Sequence, residues 1–388
     1  MTGSLELMNK KFFAVIFAVL IICTIIPFTG VLPVFADNFA LSALQVAPFI
    51  LLAYAAYISE KYPGLRILTT IWLFIIIAMI AAASFGLTVL SLLPPEFLEE
   101  SIPEDEAEAF LNDFSESSFW QIILLFAGLL LASAASLAGQ IRAFRIFLSQ
   151  YIPIEPDSFV HKTALTALFA MILIPVVPLL ITGFPPYLSP VFLEMAGEAG
   201  AVMEVVSFDV FSLFWMILAS FIIAGLYINK NFPMVLERLA LKKPSKTEFL
   251  YAVAYGIALV ALFTAIDHAI TAIWEFFGWT VTDADSVNIL FAAYLTPLTA
   301  VVAAISAGFG EEIAIRGLLQ PRFGIIIPSL LFASLHAFQY SWDGVLSVFI
   351  AGIIFALLRR HYNTTFSAVS HTTYDLILFC AIMLGIGI

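Results

Sequence analysis

An all-α bundle of about eleven membrane-crossing helices is what the 388-residue sequence predicts, and three features carry that expectation. Hydrophobic residues make up 62% of the chain and charged residues 11%, with a mean hydropathy of +1.05. A soluble domain is about a quarter charged, so an ordinary aqueous globule is excluded. Apolar runs of about 20 residues recur along the chain, the length that crosses a hydrocarbon core as a helix with every peptide group paired. The cations, finally, fall in alternate gaps between those runs.

The first run, 12–35, follows Lys10 and Lys11 and ends in Val34-Phe35-Ala36. It has the layout of a secretory leader but exceeds the usual length of such an apolar region, so it is read as a span. Runs 39–58 and 67–93 follow. Residues 94–118 then hold nine carboxylates and neither Lys nor Arg. Pro103, Glu104, Asp105 and Glu106 ahead of Phe110, Leu111 and Phe114 predict a short amphipathic helix with a charged first turn, capping the outer face. Runs 119–139, 163–182 and 206–229 complete an N-terminal six-span region, 1–245, whose role composition does not reveal.

The basic stretch 230–248, with Lys242-Lys243-Pro244-Ser245-Lys246, is the expected linker to a C-terminal five-span region, 246–388. Its runs are 249–274, 296–321, 323–340, 343–359 and 364–388. Pro27, Pro33, Pro175, Pro178, Pro297 and Pro328 are expected to kink their helices.

With the N-terminus cytoplasmic, alternate loops contain Lys10 and Lys11; Lys61 and Arg66; Arg142, Arg145 and Lys162; Lys230, Arg238, Lys242, Lys243 and Lys246; Arg316 and Arg322; and Arg359 and Arg360. Those are all sixteen Lys and Arg residues. Cytoplasmic loops are enriched in cations, so the C-terminus is expected outside. The net charge of −12 argues against nucleic acid or anionic lipid head groups as the main partner, while the apolar spans make membrane lipid the surroundings. Cys23 and Cys380 lie in apolar runs and form neither a disulfide framework nor a CxxC metal site. The sequence sets no oligomeric state.

Charges inside a span are costly and usually functional. Those of the C-terminal region are Asp267, His268, Glu311, Glu312, Arg316, His336, His371 and Asp375. Glu312 is ten residues before Arg322, His336 fourteen after it, and His371 eleven after Arg360. At 1.5 Å per residue, that sets all three roughly 15–21 Å in from cytoplasmic anchors, on one layer. Glu312 with Arg316, Phe332 with His336, and His371 with Asp375 are each four apart and share helix faces. Ala303, Ala304, Ser306, Ala307, Gly308 and Gly310 make the glutamate helix slim enough for close neighbours. Asp267-His268 lies nearer the outer surface and is expected to be structural. Counting depth from cytoplasmic anchors predicts that substrate enters from that side.

Three ordered motifs stand out: Glu311-Glu312-Ile313-Ala314-Ile315-Arg316, Phe332-Ala333-Ser334-Leu335-His336, and His371-Thr372-Thr373-Tyr374-Asp375. Together they resemble the EExxxR, FxxxH and HxxxN/D motifs of the CAAX-protease and bacteriocin-processing family (CPBP) of intramembrane endopeptidases, over residues 246–388. The resemblance implies peptide-bond hydrolysis by a glutamate-activated water. It makes Glu311 the general base and His336 a holder of the water. His371 and Asp375 then face the oxyanion, and Glu312 with Arg316 is the supporting pair. A desolvated carboxylate beside a second one suits proton transfer. Many members carry Asn at the last position, and an ionised Asp375 cannot donate to an oxyanion as Asn does.

The expected function is an intramembrane endopeptidase acting on membrane-associated or lipidated protein or peptide substrates. No cofactor is expected. Zinc is the less favoured alternative, since two His and a Glu make a ligand set but no HExxH pair is present. A non-proteolytic binding, immunity or transport protein using the same polar layer is the other reading. The expected setting is a multi-pass protein of a prokaryotic cell membrane.

Overall fold

The computed structural model describes residues 9–25, 27, 33–93, 116–197 and 201–386. Among these residues the chain is helical, with one isolated bridge between Leu226 and Lys230 and no β-strand. Each expected run forms a helix. They are α1 (Lys10–Ile25), α2 (Val34–Lys61), α3 (Arg66–Ser91), α4 (Glu116–Ser136), α5 (Phe159–Leu173) and α6 (Val202–Ile223). The C-terminal region follows with α7 (Lys246–Phe277), α8 (Pro297–Glu311), α9 (Ile326–Leu335), α10 (Trp342–His361) and α11 (Thr364–Met383).

Among the described residues nine helices are long and apolar enough to cross a membrane, against the eleven expected. The difference lies in α1 and α9, of 16 and 10 residues. At 1.5 Å per residue they reach about 24 and 15 Å, short of a hydrocarbon core of roughly 30 Å. Residues 94–115, which hold most of the acidic loop and its expected short helix, lie outside the described residues.

Proline acts at helix ends more than as a kink. Pro297 occupies the first turn of α8 behind Thr296, whose hydroxyl accepts from the Thr299 N–H, and Pro33 stands just ahead of α2. Such positions suit a residue with a fixed φ and no N–H to offer. Pro175 and Pro178 flank a break between α5 and a short helix, Val177–Thr182. Helix α7 is the longest at 32 residues, fixed by a Ser245–Glu248 capping box and stopped by Gly278 in the left-handed region.

Hydrogen bonds sort the loops into two ends. At one end the Asn9 N–H donates to the Tyr227 carbonyl, and Glu60 accepts from Ser158 and Val160. There too the Thr364 hydroxyl donates to Leu239. Ile152 and Ile154 pack on Phe323 and join these loops to the one after α8. At the other end Asn38 donates to Glu204, the Tyr187 N–H to Phe338, and Thr282 to Asp343. The first group comprises the cation-bearing loops, so the contacts reproduce the partition read from charge with one exception. Arg316 is fully buried in the helical interior and belongs to no loop.

The motif-bearing helices meet through glycine. Helix α11 lies between α7 and α8, and a β-carbon on Gly308 would stand 2.6 Å from the Thr372 backbone nitrogen. One on Gly256 would stand 2.6 Å from the Ser370 carbonyl oxygen. Neither neighbour is a flexible side chain, so an added methyl must push helices apart, at a cost of about 1–3 kcal/mol for overpacking. Gly308→Ala is therefore expected to lower the thermal midpoint of the detergent-solubilised protein. Gly86→Ala, where a β-carbon meets nothing within 4 Å, should leave it unchanged or raised. Equal midpoints for both variants would count against the close α8–α11 approach.

Candidate active site

The two glutamates sit where α8 changes pitch. Helix α8 ends at Glu311, and residues Glu312–Leu319 continue as a π-helix into a short turn, Gln320–Phe323. Wider π turns cluster at functional sites because they re-aim side chains. Pro321 has no N–H for the Gly317 carbonyl. The Arg238 guanidinium supplies the donors instead, 3.2 Å from the Gly317 oxygen and 3.1 Å from that of Leu318. This keeps the freed backbone acceptors of the helix satisfied.

Glu312 and Arg316 form the buried centre. Arg316 Nη1 lies 3.1 Å from Glu312 Oε1, and neither side chain is more than 1% exposed. Arg316 Nη2 reaches the Gly352 carbonyl at 3.4 Å, and the guanidinium lies over the Phe332 ring at 4.3 Å. Glu312 also accepts from Ser367, whose hydroxyl is 2.6 Å from Oε2, and meets His371 Nδ1 at 3.2 Å. A carboxylate taken out of water is tolerated where donors surround it as they do here.

His371 joins the motifs. Its ring stacks on Phe355 at 4.3 Å and meets the edge of Phe332 at 6.2 Å. The far nitrogen, Nε2, lies 3.5 Å from Asp375 Oδ2 and 4.0 Å from Glu311 Oε2. His336 caps the end of α9, and its Nδ1 is 2.7 Å from the Phe332 carbonyl. A carbonyl only accepts, so Nδ1 carries the hydrogen and Nε2 presents a lone pair. The His336 ring packs on Phe332 at 4.8 Å and runs parallel to Tyr340 at 6.2 Å.

Five of the six expected site residues, Glu311, Glu312, Arg316, His371 and Asp375, thus touch directly through His371 or Glu312. His336 joins them through Phe332, which contacts His336, His371 and Arg316 at once. The Glu312–Arg316 pair is buried beside Gln320, which donates to the Ala356 carbonyl. Glu311 and Asp375 are less buried, with side chains 28% and 16% exposed. Asp267 accepts from Ser347 and so ties α7 to α10, while His268 bonds its own helix at Thr264.

Sequence reading passed over Ser367 and Phe355. Ser367 stands four residues before His371, so the helical face that marked Asp375 also marks Ser367. Phe355 and Gly352 carry no such signal, since an aromatic or a glycine in an apolar run is ordinary there.

Residues 293–377 match the family model described as type II CAAX prenyl endopeptidase, Rce1-like. The match spans all three motifs and bears out the resemblance read from them. No curated protein and no solved structure matches the chain.

The electrostatics make a sharp demand. Arg316→Met leaves the buried Glu312 without its guanidinium and should destabilise the protein by about 3–5 kcal/mol, as breaking a buried pair does. Adding Glu312→Gln to that variant should restore part of the loss, read as recovery of the thermal midpoint. A double variant no better than the single one would mean that the pair contributes packing rather than charge.

Proposed function

We infer, from the family match over residues 293–377, that this integral membrane protein is an endopeptidase whose water is activated by a glutamate within the bilayer. The observation that supports it most is the contact of one imidazole, His371, with Glu311, Glu312 and Asp375. Two sequence-distant motifs meet there and Phe332 brings the third alongside, in a buried layer where dipoles act more strongly than in water.

In this reading Glu311 is the general base, partly exposed and so reachable by water. The Nε2 lone pair of His336 helps hold that water. His371 and Asp375 face the carbonyl oxygen of the scissile bond. Glu312 and Arg316, with Ser367, hold His371 in its tautomer and orientation, as a buried carboxylate does for an imidazole in other hydrolases. Substrates are membrane-associated or lipidated proteins and peptides, and the setting is a prokaryotic cell membrane. The N-terminal region, 1–245, supports the catalytic region, 246–388, by packing against α8 and the π-helix.

The test is quantitative mass spectrometry of new peptide termini in membranes containing wild type or Glu311→Gln at equal abundance. Termini present with wild type alone are expected, because Gln is close in shape to Glu but accepts no proton. Identical termini from both would turn the assignment toward a binding or immunity protein. The mechanism is expected to need no metal. Active protein should hold no stoichiometric zinc and should keep its rate after dialysis against a chelator.

A further inference from the structure

We propose that Asp375 and His371 jointly hold one transferable proton and serve as the general acid of the reaction, opposite Glu311 as the base. This rests on the endopeptidase reading above and deepens it. The starting point is Glu312, which sits against Arg316 Nη1 at 3.1 Å, the Ser367 hydroxyl at 2.6 Å and His371 Nδ1 at 3.2 Å. A carboxylate ringed in this way is an acceptor on both oxygens, so His371 Nδ1 must carry a hydrogen.

That fixes what the other side of the ring can do. His371 Nε2 faces Asp375 Oδ2 at 3.5 Å and Glu311 Oε2 at 4.0 Å. With Nδ1 protonated, a bare Nε2 and an ionised Asp375 would oppose lone pair to lone pair in a buried layer. One hydrogen between them removes the conflict, whether it resides on the ring or on the carboxyl. Charge counting agrees. Glu311, Glu312 and Asp375 are three carboxyls against the single guanidinium of Arg316, and like charges this close do not all ionise freely. The other titratable groups facing the pair are His336 and Tyr340 from α9 and the turn after it, and Tyr374 from α11 itself. Asp267 of α7 is nearby and engaged with Ser347.

An Asn at position 375 could donate a hydrogen bond to the carbonyl oxygen but could not release the hydrogen. Asp375 can do both. As the water oxygen bonds to the carbonyl carbon, Glu311 takes a water proton. The carbonyl π pair moves to oxygen, which takes the proton of the His371–Asp375 pair, giving a neutral tetrahedral diol. On collapse the C–N bond breaks and the leaving nitrogen takes the proton held by Glu311. One diol hydroxyl returns its proton to His371–Asp375 and reforms the carbonyl, so acid and amine leave and both groups are reset.

The experiment is a pH–rate profile for the detergent-solubilised full chain cleaving an internally quenched farnesylated peptide. Wild type, Asp375→Asn, Asp375→Glu and Glu311→Gln are compared at equal monodispersity. Wild-type kcat should fall tenfold per pH unit on its alkaline limb, as the shared proton is lost. Asp375→Asn should lower kcat by about 10²- to 10⁴-fold, the usual worth of a general acid, with KM within about twofold and no such limb. Asp375→Glu should regain the limb and part of the rate. An Asp375→Asn profile that overlays wild type overturns the proposal while leaving the endopeptidase reading standing. Equal rates from wild type and Glu311→Gln overturn that reading and this one with it.

Discussion

One buried ion pair, Glu312 with Arg316, organises the C-terminal region. Each partner alone is an uncompensated charge in a medium that does not solvate it, and a pair buried this deeply is stabilised by each further partner its remaining valences find, although among the described residues Arg316 Nε keeps none. The surrounding residues supply such partners. Ser367 supplies a hydroxyl from α11, Gly352 a carbonyl from α10, and Phe332 an aromatic face from α9. Four separate segments are therefore drawn to one point, and His371, which completes the ring around Glu312, is positioned as a by-product. The placement of Glu311 and Asp375 is secondary to the solvation of that buried pair.

The packing constraint works in the same direction. Helices in a bilayer gain no hydrophobic drive toward each other and rely on close contact and hydrogen bonds. Gly256 and Gly308 let α7 and α8 close on α11, and the Ser370 hydroxyl then reaches the Ala252 carbonyl. Small residues and buried hydroxyls act together here: the former set the approach, the latter secure it.

How much of this was legible in the sequence depends on range. Spacing of four residues placed Glu312 beside Arg316 and His371 beside Asp375, and helical rise placed three helices' polar groups on one layer. These are local quantities, and the structure keeps them. Among the described residues α9 is shorter than its apolar run, because a hydropathic run shows apolar character without showing where the helix stops. Arg316 was counted with the loops because charge alone cannot distinguish an anchoring cation from a buried one. Phe332 as the bridge between both histidines was visible only as the first letter of a motif, since its reach to Arg316 depends on tertiary approach.

The proline at position 321 has a consequence for how such chains exchange parts. It releases the Gly317 carbonyl, and the guanidinium that answers it, Arg238, comes from a segment more than fifty residues upstream of the stretch that matches the family. A graft of 293–377 into an unrelated scaffold would transfer every motif intact and still arrive without the Arg238 donor for the Gly317 oxygen at the foot of its π-helix. Recombination between distant relatives should thus succeed only where host and insert share this arginine–carbonyl fit, which makes Arg238 and Pro321 a compatibility mark for chimaeras.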